Sequence, residues 1–174
     1  MFPVYIEYPD KDFAHLLQEH YVGDDSEFIQ FIRLMYQHLH IDNIHIRNLL
    51  GMIAAEELGH LELIGAAIRK LGGREPLVTY PLSQQYFESV SGFEILEAMN
   101  KNVEAEESAI KLYTNLLAKT KDIHIRRLLK FLINREEVHR KIISKIVILL
   151  TQEDGNEQFT SLIHEYKMSL RVIT

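Results

Sequence analysis

A chain of 174 residues, 47% hydrophobic and 25% charged, is long enough to bury one core and short for two, so residues 1–174 read as a single domain. Its formal charge of −6, a pI near 5.8 and the lack of any basic run argue against nucleic acid or an anionic membrane as a partner. The absence of cysteine excludes disulfides, thiolate metal sites and redox thiols, and fits a cytoplasmic setting.

The N-terminus lacks a basic region followed by an apolar stretch, so it does not read as a secretory signal. The segment through Pro9 reads as extended, and Asp10 or Asp12 starts a short helix reaching about His20. Gly23-Asp24-Asp25-Ser26 marks a break. The next helix carries Phe28, Phe31, Ile32, Met35 and Leu39 at helical spacing. A longer helix runs from Asp42 or Asn43 to Leu71, where Gly72-Gly73 supplies the stop. Residues 72–91, with Pro76 and Pro81, form the longest irregular stretch and read as a crossover. Ser91-Gly92-Phe93-Glu94 has the form of a capping box, which starts a helix ending near Lys119. A further helix spans about Asp122 to Leu150, and its longest apolar run, Ile146 to Leu150, is too short to cross a bilayer. A short helix with Phe159, Leu162, Ile163 and Tyr166 closes the chain. No strand is expected, so the fold class is all-α.

Ile44-His45-Ile46-Arg47-Asn48-Leu49-Leu50 returns 79 positions later as Ile123-His124-Ile125-Arg126-Arg127-Leu128-Leu129. The same shift of 79 carries Glu27 onto Glu106, Glu57 onto Glu136 and His60 onto His139 without a gap. Two halves, about residues 24–71 and 92–150, thus repeat one helical hairpin. Each half reads Glu and, thirty positions on, Glu-x-x-His. Glu and His at i and i+3 share a helix face, so two copies bring four carboxylates and two imidazoles together, the set that dimetal carboxylate proteins project into a four-helix bundle.

With 18 Glu and 9 His in 174 positions, roughly one Glu-x-x-His arises by chance, so the pairing carries the weight. Glu57 shares its face with Leu50, Ile53, Ala54, Leu61 and Ile64, and Glu136 with Leu129, Leu132, Ile133 and Ile143. A carboxylate aimed at a core becomes neutral, pairs, or binds metal, and two divalent cations cancel four converging carboxylates. Against this, Glu27 also fits the third position of a capping box begun by Asp24. Glu104 and Glu107 read as solvated or as local charge partners, and His15, His20, His38, His40, His45, His124 and His164 as structural. Tyr113 lies two turns after Glu106, where its hydroxyl could bond a ligand carboxylate, or it is a core tyrosine.

The run Glu56-Glu57-Leu58-Gly59-His60-Leu61-Glu62-Leu63-Ile64-Gly65, with Glu106-Glu107, Tyr113 and Arg135-Glu136-Glu137-Val138-His139, resembles the manganese catalases, and among them the short relatives found in spore coats. The resemblance spans about residues 10–150 and implies a ferritin-like four-helix bundle of two hairpins with short N- and C-terminal helices. It implies Glu27 and Glu106 as terminal carboxylates, Glu57 as a bridge, and His60 and His139 as one ligand to each of two Mn or Fe ions. Glu136, which with Tyr113 is a candidate catalytic group, touches the ligands in catalases and is a second bridge in bacterioferritin-like diiron sites. Rubrerythrins are also similar, but carry a further Glu where this chain has Ala109. The expected function is disproportionation of hydrogen peroxide. The alternatives are a diiron oxidase, peroxidase or iron-handling protein acting on peroxide or dioxygen, and a structural coat protein with a metal-stabilised bundle, in the cytoplasm or the spore coat. A homo-oligomer is expected. Full-length manganese catalases carry a C-terminal extension that wraps neighbouring subunits, and this chain stops soon after the bundle, so the resemblance does not carry over their hexameric assembly or full activity.

Overall fold

The computed structural model describes residues 3–22, 26–75, 94–152 and 156–171. Its helices are α1 (Lys11–Val22), α2 (Glu27–His40), α3 (Ile44–Lys70), α4 (Glu94–Lys119), α5 (Ile123–Leu150) and α6 (Asn156–Ser169). No strand occurs among the described residues. The expected Ser91 capping box and most of the 72–91 crossover lie outside the described residues, as do Gly23, Asp24, Asp25 and the His20 side chain.

The helix starts follow from their caps. Asn43 Oδ1 accepts from the amides of His45 and Ile46 at 3.0 and 3.2 Å. Asp122, 79 positions on, does the same for His124 and Ile125 at 2.9 and 3.0 Å. Each cap closes a three-residue connection, 41–43 or 120–122, short enough to fold its helices antiparallel. Asp122 Oδ2 also accepts the amide of Glu7, tying the N-terminal segment to α5. Asp122→Ala is therefore expected to destabilise the fold by about 1 kcal/mol, a fall in Tm of roughly 2–4 °C that calorimetry would read; an unchanged Tm would deny the cap its role. At the far end of α3, Gly72 takes φ +92°, a left-handed conformation that ends the helix where the double glycine predicts.

α2 packs on α3, α4 on α5, and α3 meets α5, giving a bundle of two hairpins. Two apolar clusters fill it. One joins Leu49, Leu50, Ile53 and Met99 to Ile142, Ile143, Ile146, Phe159 and Leu162. The other joins Phe13, Leu17, Ile64, Ile68 and Leu116 to Ile125, Leu129 and Leu132. Residues 57–60 and 136–139 fall between these clusters along α3 and α5, which leaves one polar layer at mid-bundle.

The repeat is imperfect in one helix. A shift of 79 lays α2 on the second half of α4, whereas α1 corresponds to the first, so the single α4 is matched by two shorter helices. Ser26 is the N-cap at this break, its Oγ accepting from Ile29 N at 3.4 Å, and Glu27 is the first residue of α2. Glu27 is therefore not the third position of a box begun by Asp24, and its place at the helix start puts a carboxylate where the helix dipole favours one. Two of the small residues on α3 serve internal contacts: Gly51 faces the His38 ring, and Gly65 faces Tyr21 and Glu75.

Candidate metal centre

The polar layer consists of Glu27 from α2, Glu57 and His60 from α3, Glu106 from α4, and Glu136 and His139 from α5, all with 2% or less of their surface exposed. The six residues related by the repeat are the six that meet. His60 Nδ1 lies 3.1 Å from Glu57 Oε2, 2.9 Å from Glu136 Oε1 and 3.8 Å from Glu27 Oε2. His139 Nδ1 lies 3.1 Å from Glu136 Oε2, 2.7 Å from Glu57 Oε1 and 4.0 Å from Glu106 Oε2. Exchanging the halves maps one set of distances onto the other, as a pseudo-two-fold axis requires.

Two overlapping groups result, Glu27-Glu57-His60-Glu136 and Glu57-Glu106-Glu136-His139, each offering four ligand atoms within 4.8 Å of one another. Glu57 and Glu136 belong to both. Three buried carboxylate oxygens here, Glu27 Oε2 and both of Glu106, accept no hydrogen bond among the described residues, while Glu57 Oε1 and Glu136 Oε1 meet imidazole nitrogens at 2.7 and 2.9 Å without hydrogen-bond geometry. Orphaned acceptors at a helical core are costly unless a cation completes them, so the donor set fits a pair of divalent metals.

Without metal, protons do the same work. Burial, the largest influence, raises Glu27 and Glu106 well above the ordinary carboxylate range, and the charges on Glu57 and Glu136 add to it. Burial would raise Glu57 and Glu136 too, but His139 and His60 outweigh it and hold both below that range. For His60 and His139, burial opposes charge, yet the facing Glu57 and Glu136 overcome it and hold both imidazoles well above their usual value. These shifts favour the proton on Glu27, Glu106 and both imidazoles and its loss from Glu57 and Glu136, a combination whose charges sum to zero.

Tyr113 is buried and donates its hydroxyl hydrogen bond to Glu27 Oε1, so it serves the carboxylate of the other hairpin rather than Glu106 on its own helix. Glu104 and Glu107 are exposed, as expected. His45 stacks on Phe159 with ring centroids 6.1 Å apart, and His124 sits 5.7 Å from the Tyr5 ring, both outside the two ligand groups.

Sequence reasoning missed a second group around His139. Glu56 Oε2 lies 3.1 Å from His139 Nε2 and accepts from the Tyr166 hydroxyl at 2.6 Å. Arg135 clamps Glu56 from the other side, with Nε to Oε1 at 2.5 Å and Nη2 to Oε2 at 3.1 Å. These hydrogen bonds outweigh burial and lower the Glu56 carboxyl to about 2. The signal was present, since Glu56 and Arg135 are themselves 79 positions apart and opposite in charge, so the repeat pairs them across its axis.

The family model described as manganese-containing catalase matches residues 1–79, a span that includes Glu27, Glu57 and His60. A protein named Probable manganese catalase from Clostridium acetobutylicum is 24% identical over 179 residues, covering 90% of this chain and 79% of its own length. Among solved structures, KatB, a manganese catalase from Anabaena PCC7120, superposes with a TM-score of 0.78 at 23% identity, over 90% of this chain and 80% of its own. A Desulfovibrio desulfuricans bacterioferritin, described by its diiron site, gives 0.68 at 19% identity over 87% and 86%. At these identities the structural likenesses establish the shared ferritin-like bundle fold.

Proposed function

We infer, from a chain that belongs to the manganese catalase family of ferritin-like proteins, that its buried centre holds two manganese ions and disproportionates hydrogen peroxide. The observation that carries this reading is the pair of overlapping four-ligand groups, in which Glu27 Oε2 and both Glu106 oxygens are buried without a hydrogen bond among the described residues. Glu27 and Glu106 would each serve one metal, His60 and His139 one each, and Glu57 both. Carboxylate oxygen with imidazole nitrogen suits Mn or Fe by donor type. When bound, the metal pair supplies two-electron exchange with peroxide.

One peroxide gives up two electrons and two protons to become dioxygen, and a second takes them up to become two waters, so no outside reductant is consumed. The protein's own part is to hold those protons between the two halves of the cycle. Glu136, which faces both imidazoles and sits inside the layer, would accept and return one of them, and the other carboxylates of the layer would take the second. Tyr113 fixes Glu27 through its hydrogen bond, and the apolar clusters above and below keep bulk water from the layer. No helix among the described residues is long and apolar enough to cross a membrane, in keeping with a small diffusible substrate met in an aqueous compartment.

One observation favours a second reading. Glu136 lies in both ligand groups on equal terms with Glu57, so it would be available to both metals, as a second carboxylate shared by a diiron pair would be. A diiron oxidase or peroxidase drawing electrons from a donor is that reading. Oxygen evolution decides between them: Mn-loaded protein should release dioxygen from peroxide with no reductant added. Peroxide consumption only by Fe-loaded protein, and only with a donor, would replace the first reading with the second.

A further inference from the structure

The ligands obey the two-fold repeat, but what surrounds them does not. His139 Nε2 has the Glu56 carboxylate at 3.1 Å, and the Tyr166 hydroxyl at 3.4 Å. His60 Nε2, equally buried, has no hydrogen-bond partner among the described residues, and the Phe131 ring stands edge-on to its imidazole. The cause lies in the sequence. The position related to Glu56 by 79 residues is Arg135, a donor that cannot accept an imidazole N–H. Tyr166 comes from α6, which follows the second hairpin and has no counterpart after the first among the described residues. Arg135 also donates from Nη1 to the Ser169 carbonyl at 3.2 Å and from Nη2 to its hydroxyl at 3.3 Å, so the end of α6 is fastened to the cluster.

An ionised carboxylate only accepts, so the bond between Glu56 and His139 places a proton on Nε2 and leaves Nδ1 turned to the ligand layer. Carboxylate partners of this kind orient a ligating imidazole and strengthen it as a donor, and losing one typically costs 10–100-fold in metal affinity. We propose that Glu56, held by Arg135 and Tyr166, makes the two half-sites unequal, so that the His139 half binds its metal more tightly than the His60 half. This rests on the metal-centre reading above. Glu56, Arg135 and Tyr166 are positioning residues, acting through His139 alone.

The test is Mn(II) titration of metal-free protein, with free Mn(II) read from its electron paramagnetic resonance signal. Wild type should fill in two resolved steps. Glu56→Gln should weaken the tighter step by about 10–100-fold and leave the weaker step in place. Tyr166→Phe, which removes one hydroxyl and keeps the ring, should weaken the same step by about two- to tenfold, and serves if the Gln variant folds poorly. In a His139→Ala background, Glu56→Gln should change nothing further. Two equal steps in wild type, or equal weakening of both steps by Glu56→Gln, overturns the inequality while leaving the metal centre intact. Wild type that takes up no Mn(II) removes the metal-centre reading, and this inference with it.

Discussion

His60→Ala combined with His139→Ala should give a protein that is still helical by circular dichroism but retains neither metal and evolves no oxygen from peroxide. Each imidazole is the sole nitrogen donor in its group, and its Nδ1 is the atom around which the three carboxylates of that group converge. Removing both leaves four buried carboxyl groups without their cationic partners. A buried carboxylate in that position takes up a proton rather than unfolding the chain, so the layer becomes neutral and the bundle persists at reduced stability. Glu106→Gln isolates the ligand role from this loss. Burial and the charges on Glu57 and Glu136 favour the neutral form of Glu106 when metal is absent, so the isosteric amide should leave the metal-free Tm nearly unchanged while stripping one terminal carboxylate from the His139 half. One metal lost with an unaltered metal-free Tm is the expected pair of results. Elemental analysis finding two metals per chain in the double histidine variant would end the ligand assignment.

Why these six positions were legible before any coordinates is a matter of geometry. A helix offers one face every three or four residues, so Glu57-x-x-His60 among apolar neighbours could point only at the core, and the repeat then fixed which residues faced it from the other half. The helix ends were equally plain, because Asn43, Asp122 and Gly72 each satisfy a local backbone requirement. The break at Ser26 was less so. By the repeat, Glu27 should sit mid-helix like Glu106, yet the break before it makes it the first residue of α2. The partner of Tyr113 also escaped, since a hydroxyl at the end of a long side chain can reach a neighbouring helix as easily as its own. Glu56 was passed over because a glutamate beside a ligand glutamate looks solvated from spacing alone. The repeat pairs it with Arg135, and the packing of α6 and Arg135 against it shows that it is held.

The stability gained from metal should grow steeply with pH. In the metal-free protein burial holds the protons on Glu27 and Glu106, and the facing carboxylates hold those on His60 and His139, to higher pH than in the unfolded chain, and metal binding must expel them. Two divalent cations replace four protons, and the layer stays neutral in both states. Apparent affinity therefore rises with pH, by up to two protons per metal, until the free protein has lost those protons itself. The fold without metal moves the other way. Above the unfolded values of 4.5 and 6.5 the native state binds more protons than the unfolded chain at all four groups, so its stability falls as pH rises toward the folded values. Glu57 and Glu136, ionised in both states over this range, add nothing to the slope. The difference in Tm between Mn-loaded and metal-free protein should accordingly widen from about pH 6 to about pH 8. Calorimetric titration in two buffers of different ionisation enthalpy counts the protons directly. Fewer than about one proton released per metal, or a Tm difference that shrinks with pH, would mean that the layer does not exchange protons for metal.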